Sequence, residues 1–148
     1  MQVFWGKRRK MIRLHEGLPD KDEYFSLFNS TGWNKNYKVS PDDLERANRN
    51  SWLVVSAYDE NQLVGFGRVM TDFVMHAMIF DMIVLPEYQN RGIGTMILER
   101  LVDRCLDQGI RDIQLFCAKG KRAFYEKNGF ETRMEDAPGM QFKRKEKA

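Results

Sequence analysis

The chain has 148 residues, 43% of them hydrophobic and 12% aromatic, with a net charge of +3. That is the length of one domain, able to bury a core without disulfide or metal staples. The positive charge gathers at two ends, KRRK from Lys7 to Lys10 and KRKEK from Lys143 to Lys147; such tails are solvated, whereas a nucleic-acid binder spreads basic residues over a folded face.

No apolar run approaches the ~18 residues needed to cross a bilayer. The two cysteines and two histidines show no metal-like spacing, so no metal is expected. Cys105 and Cys117 are each flanked by apolar residues and read as free thiols in a core. Residues 1–10 are basic but lack the apolar stretch of a signal peptide. They are expected to be a loose extension of a cytoplasmic protein whose single domain spans 11–148.

Met11 to His15 alternates as a first strand. Asp20 caps a short helix marked by Tyr24, Phe25, Leu27 and Phe28 and ended by Gly32. Trp33 to Lys38 reads as a loop. Ser40-Pro41-Asp42-Asp43 opens a second helix, with Ser40 as cap and Pro41 in the first helical position. Trp52 to Tyr58 and Gln62 to Met70 form a hairpin, in which Gly65 and Gly67 imply a bend or a close contact. Val74 to Leu85 is a long strand. A helix from about Gly92 to Gln108 stops at Gly109, and Asp112 to Cys117 is the next strand. The helical crossover implies that these last two strands pair in parallel. Gly120 to Asn128 is a short helix closed by Gly129. Phe130 to Arg133 extends away, and Met140 to Lys143 is a last short strand. Together they predict an α/β, or α+β layered, domain: a mixed, mostly antiparallel central sheet with helices on both faces.

The stretch from Phe80 to Gly94, FDMIVLPEYQNRGIG, joins a strand to a helix N-terminus through a glycine-bearing turn. The first turn of a helix holds N–H groups without intrahelical partners, and the dipole adds positive charge there. Phosphate oxygens fit that place. Gly92 and Gly94 let a phosphate approach the backbone closely. The P-loop pattern is absent, and the dinucleotide fingerprint would need a glycine where Ile97 stands.

Gln89-x-x-Gly92-x-Gly94, after a strand and opening a helix, resembles the acetyl-CoA loop [QR]-x-x-G-x-[GA] of the GNAT superfamily of N-acetyltransferases. Val84-Leu85-Pro86-Glu87-Tyr88 before it resembles that family too. Ala123-Phe124-Tyr125-Glu126-Lys127-Asn128-Gly129-Phe130 is similar to a second family motif, A-x-x-[FL]-Y-x-x-x-G-F. The resemblance runs from Met11 to Lys143.

The resemblance implies transfer of an acetyl group from acetyl-CoA directly to a primary amine. On that reading Gln89, Asn90, Arg91, Gly92, Ile93, Gly94 and Thr95 hold the cofactor phosphates, Lys121 adds charge, and the backbone of Met82, Ile83 and Val84 takes the pantetheine arm like an added strand. Tyr125 is the family-matched general acid for the leaving thiolate; as a phenol it is protonated at neutral pH. Its alternative is a packing aromatic. Asp81 is a possible base, or a structural hydrogen-bonding residue. Met78 stands where some members place a catalytic Glu, and Ala118 where some place an Asn; the first departure points to a water-relayed base or none. The expected partner is a small-molecule or peptide amine, with no membrane or nucleic acid, in a monomer or homodimer. The other function class is a non-catalytic acyl-CoA sensor on the same fold.

Overall fold

The computed structural model of the protein describes residues 11–145, so the expected basic extension lies outside the described residues. The chain divides into two compact units, one ending at Leu115 and one beginning at Phe116.

In the first unit the order is β1 (Ile12–Glu16), α1 (Lys21–Asn29), α2 (Asn34–Tyr37), α3 (Pro41–Arg49), β2 (Leu53–Asp59), β3 (Gln62–Thr71), β4 (His76–Val84), α4 (Ile93–Asp107) and β5 (Asp112–Leu115). The caps act as their residue types dictate. The Asp20 carboxylate accepts from the N–H groups of Asp22 and Glu23, both at 3.0 Å. Ser40 and Asp43 form a reciprocal capping box, with Pro41 beginning α3. Gly109, at φ 72°, follows the end of α4.

The strands form one sheet in the order β1-β2-β3-β4-β5. The β1–β2, β2–β3 and β3–β4 pairings are antiparallel and β4–β5 is parallel. Tyr24, Leu27 and Phe28 of α1 and Leu44 of α3 bury one face against Val54, Leu63, Phe66 and Ile83. The Tyr24 and Phe66 rings lie 4.3 Å apart between centroids. Helix α4 covers the other face, where Ile97, Leu98 and Leu101 are fully buried. Each such side chain contributes about 1.5–3 kcal/mol. Gly65 and Gly67 permit this approach. A Cβ on Gly65 would meet Ile97 Cδ1 at 2.8 Å, and one on Gly67 would meet Leu101 Cδ1 at 2.8 Å.

The second unit contains α5 (Arg122–Lys127), followed by Gly129 at φ 90°. Tyr125 makes edge contacts with Phe124 and Phe130, at ring-centroid separations of 5.0 and 6.0 Å.

Several elements differ from expectation. Residues 34–37 form a short helix rather than a loop, because Asn34 ties its own end together: its side chain accepts from Val39 N–H at 2.9 Å and donates to Val39 O at 3.2 Å. Strand β5 ends at Leu115, which leaves Cys117 exposed while Cys105 is buried as expected. Met140 to Lys143 forms no strand, and neither does Phe130 to Arg133. Alternation is not sufficient where no ladder partner is offered. Met140 and Phe142 are both exposed.

Candidate active site

Strand β4 outruns its parallel partner. The β4–β5 ladder pairs His76 with Asp112 and ends at Ile79 with Leu115, whereas β4 continues to Val84. From Phe80 onward β4 is paired by β3 alone within the sheet. Phe66 pairs with Ile83 and Gly65 with Val84. An edge of this kind can accept an extended ligand as an added strand. It contains Met82, Ile83 and Val84, the residues expected there. The Ile83 side chain is buried with Phe66 in the α1 cluster, so its backbone alone is on offer.

Past Val84 the chain turns through a single 3-10 turn, Pro86–Tyr88, into the loop that opens α4. Asn90 sits at φ 62° and Gly92 at φ 82°, both in the left-handed region. Gly92 is the N-cap of α4 and supplies no side-chain cap. A Cβ built on it would meet nothing within 4 Å. The first-turn N–H groups of Ile93, Gly94 and Thr95 therefore belong to a helix start without a side-chain partner. Met96 N–H is the first to find a helical acceptor, Gly92 O at 3.1 Å. The Ile93 side chain is core, at 2% exposure, so it too contributes only backbone.

Side chains brace this loop. Gln89 turns back along the chain, its Nε2 donating to Val84 O at 3.0 Å. The Tyr88 hydroxyl donates to Asp59 Oδ2 at 2.7 Å, with Gln62 Oε1 at 3.3 Å. The Arg91 guanidinium stands 5.1 Å from the Tyr88 ring centroid, which keeps a cation beside the loop. No local sequence rule signals the Tyr88 brace, because its two residues stand 29 positions apart.

Asp81 does not follow simple strand alternation. It lies at φ 55°, in a register shift between Phe66 and Arg68 on β3. Gly67 alone stands opposite both Asp81 and Met82. The shift turns the Asp81 carboxylate onto Arg68, whose Nε donates to Asp81 Oδ2 at 2.8 Å. The same guanidinium lies 5.3 Å from the Phe80 ring centroid. Phe80 and Asp81 thus serve the same arginine, although regular strand alternation points neighbouring residues to opposite faces.

In the second unit Tyr125 is buried. Burial, with a smaller contribution from the neighbouring Cys117, pushes its pKa up to about 12, so the phenol holds its proton throughout the physiological range. Lys121 is exposed at the N-cap of α5. In the first unit, Trp33 and Tyr37 both lie against Phe28, at centroid distances of 5.8 and 6.3 Å.

The family model described as the acetyltransferase (GNAT) family matches residues 19–130. The chain belongs to the GNAT family of acetyltransferases. It is 38% identical over 81 residues to the chloroplastic GCN5-related N-acetyltransferase 2 of Arabidopsis thaliana, covering 55% of this chain and 31% of that protein. It is 32% identical over 108 residues to the histone acetyltransferase TAP1 of Glycine max, covering 66% of this chain and 47% of that protein. The chain thus spans about a third to a half of the length of these curated relatives. Among solved structures, a GNAT-family acetyltransferase from Streptococcus pneumoniae superposes with a TM-score of 0.78 at 26% identity, over 92% of this chain and 100% of that one.

Proposed function

We propose that the protein transfers an acetyl group from acetyl-CoA to a primary amine by direct attack. The observation that carries this reading is the uncapped start of α4 at Gly92, directly after a strand edge that β5 leaves free. The residues present fit the cosubstrate. Backbone N–H groups and the helix dipole suit a diphosphate, Arg91 adds a nearby cation, and the Met82–Val84 edge suits an amide-bearing arm.

When bound, acetyl-CoA supplies an activated acetyl thioester. The chain's residues do the rest. Gln89 to Thr95 anchor the phosphates, and Lys121 contributes charge to them. The β4 edge aligns the arm and offers a backbone N–H to the acetyl carbonyl, where negative charge develops during attack. Tyr125 donates its hydroxyl proton to the departing sulfur. Because Arg68 already holds the Asp81 carboxylate, the amine loses its proton to water in this proposal.

The test is ligand stabilisation. Acetyl-CoA at 100 times its Kd is expected to add about 2.7 kcal/mol to folding stability. NAD and ATP should shift melting much less, since the chain carries neither of their loop motifs. No melting shift at millimolar acetyl-CoA, together with no heat in titration calorimetry, would refute the assignment.

A further inference from the structure

The Asp81 bulge is costly to make. A non-glycine residue at φ 55° in mid-strand is strained, and such a conformation persists only when its surroundings over-determine it. Here the surroundings can be named. Arg68 Nε donates to Asp81 Oδ2 at 2.8 Å. Arg68 Nη1 donates to Ser51 Oγ at 3.1 Å and Ala47 O at 3.4 Å. The guanidinium therefore ties β4 to β3 and to the end of α3 at once. Both side chains are largely removed from water, at 14% and 25% exposure. The buried Tyr24 ring completes the surroundings: its hydroxyl feels the charge of both residues, and burial pushes its pKa well up. On the other side of the sheet, the missing Cβ of Gly67 leaves the space that Met82 Sδ occupies; an added Cβ would lie 2.8 Å from that sulfur.

The placement of the bulge gives it a use. It falls directly after the last β4–β5 pair, at Ile79, and directly before Met82–Val84. A bulge bends its strand and re-aims the residues that follow. We infer that the Arg68–Asp81 ion pair is a positioning clamp, which fixes the bulge so that the Met82–Val84 edge meets the acyl arm of the cosubstrate. The inference rests on the proposed reading of that edge. Arg68 and Asp81 act through the backbone and touch no reacting atom.

The experiment compares four proteins: wild type, Asp81→Asn, Asp81→Gly, and the double variant Arg68→Met/Asp81→Asn. Asparagine tolerates φ near 55° and still accepts from Arg68. Glycine accepts the conformation freely but has no carboxylate. The double variant removes the pair without leaving a buried charge unpaired, which protects the fold. Two ligands are titrated: acetyl-CoA, and its phosphoadenosine diphosphate half, which keeps the phosphates and lacks the arm. Hydrogen exchange of the Met82–Val84 amides is followed without ligand.

Asp81→Asn should stay near wild type. The double variant and Asp81→Gly should bind the half-ligand as wild type does, yet lose roughly tenfold in acetyl-CoA affinity, as expected for a lost charge-assisted hydrogen bond. Their Met82–Val84 amides should exchange faster. A folded double variant with wild-type affinity for acetyl-CoA and wild-type exchange overturns the clamp, as does Asp81→Gly behaving as wild type. If wild type binds neither ligand, the phosphate loop is wrong and the clamp falls with it. If the half-ligand binds as tightly as acetyl-CoA, the edge is wrong and the loop stands.

Discussion

The Tyr88 hydroxyl meets the Asp59 carboxylate at 2.7 Å, which ties the entrance of the loop that opens α4 to the end of β2. The carboxylate accepts this bond, which holds the Tyr88 pKa above its ordinary value. The bond is the longest-range side-chain brace on the loop. Tyr88→Phe keeps the ring under Arg91 and removes the brace. The expected outcome is a several-fold weaker affinity for acetyl-CoA by calorimetry, with little change in melting temperature. An unchanged affinity would mean that Pro86 and Gln89 alone hold the loop.

Gly92 offers a sharper perturbation. Its φ of 82° disfavours any L side chain, at a cost of roughly 1–2 kcal/mol. Gly92→Ala should therefore lower stability by about that amount. Gly92→Glu should do the same and also abolish acetyl-CoA binding, since a carboxylate would stand where phosphate charge belongs. Melting curves with and without acetyl-CoA separate the two effects. A Gly92→Glu protein that still binds with wild-type affinity would remove the loop from the cosubstrate site.

Tyr125→Phe keeps the edge contacts with Phe124 and Phe130 and deletes only the proton donor. Acetyl-CoA affinity should change little. The single-turnover rate should fall about 10²-fold, the lower end for general acid catalysis, or about 2.7 kcal/mol of transition-state stabilisation. Because the phenol's pKa is pushed up to about 12, the wild-type rate should show no alkaline loss from this group below pH 10 (roughly its unfolded value). A Phe variant with the wild-type single-turnover rate leaves Tyr125 a packing residue.

Burial also sets an alkaline limit on stability. It raises Cys105 from 9.0 to about 11, Tyr125 to about 12, and Tyr24 well above its ordinary 10.0. In each case the folded chain keeps a proton that the unfolded chain releases. The stabilisation is complete below the unfolded pKa and is lost as pH rises through the folded one. Stability should therefore decline from about pH 9 upward, each group steepening the slope by at most about 1.4 kcal/mol per pH unit. Cys105→Val should flatten the decline between pH 9 and 11 in a melting series. An identical slope in that variant would contradict the assignment.

Local rules made much of this legible from residues alone. The capping box at Ser40, the stop at Gly109 and the helix period from Ile93 to Cys105 are short-range features, and each was found where its residues indicated. The parallel pairing of β4 and β5 followed from the crossover. Met82 to Val84 lie on β4 beyond its last pair with β5, and Gly92 begins α4, so the strand and the helix start expected around the glycine turn are both present. The bulge at Asp81 was not legible, because it depends on Gly67 opposite it and on Arg68 thirteen positions away. Period-two reasoning assumes a regular ladder, in which neighbours such as Phe80 and Asp81 point to opposite faces. The strand expected at Met140–Lys143 failed for the complementary reason: alternation describes a strand's face, while pairing needs a neighbour.

Acetyl transfer from acetyl-CoA to an amine frees one thiol for each amine acetylated, so thiol release reads the proposed reaction itself. Wild-type protein is incubated with acetyl-CoA and a panel of small, polyamine, aminoglycoside, amino-acid and peptide amines. Thiol is followed spectroscopically, and the N-acetylated product by mass. Thiol release should exceed the acetyl-CoA hydrolysis background with at least one amine class, with one acetylated amine per thiol, and both should be lost in Gly92→Glu. Tight acetyl-CoA binding with no acetylated product from any class would contradict the proposed transfer, and would make the protein an acyl-CoA sensor on an acetyltransferase fold.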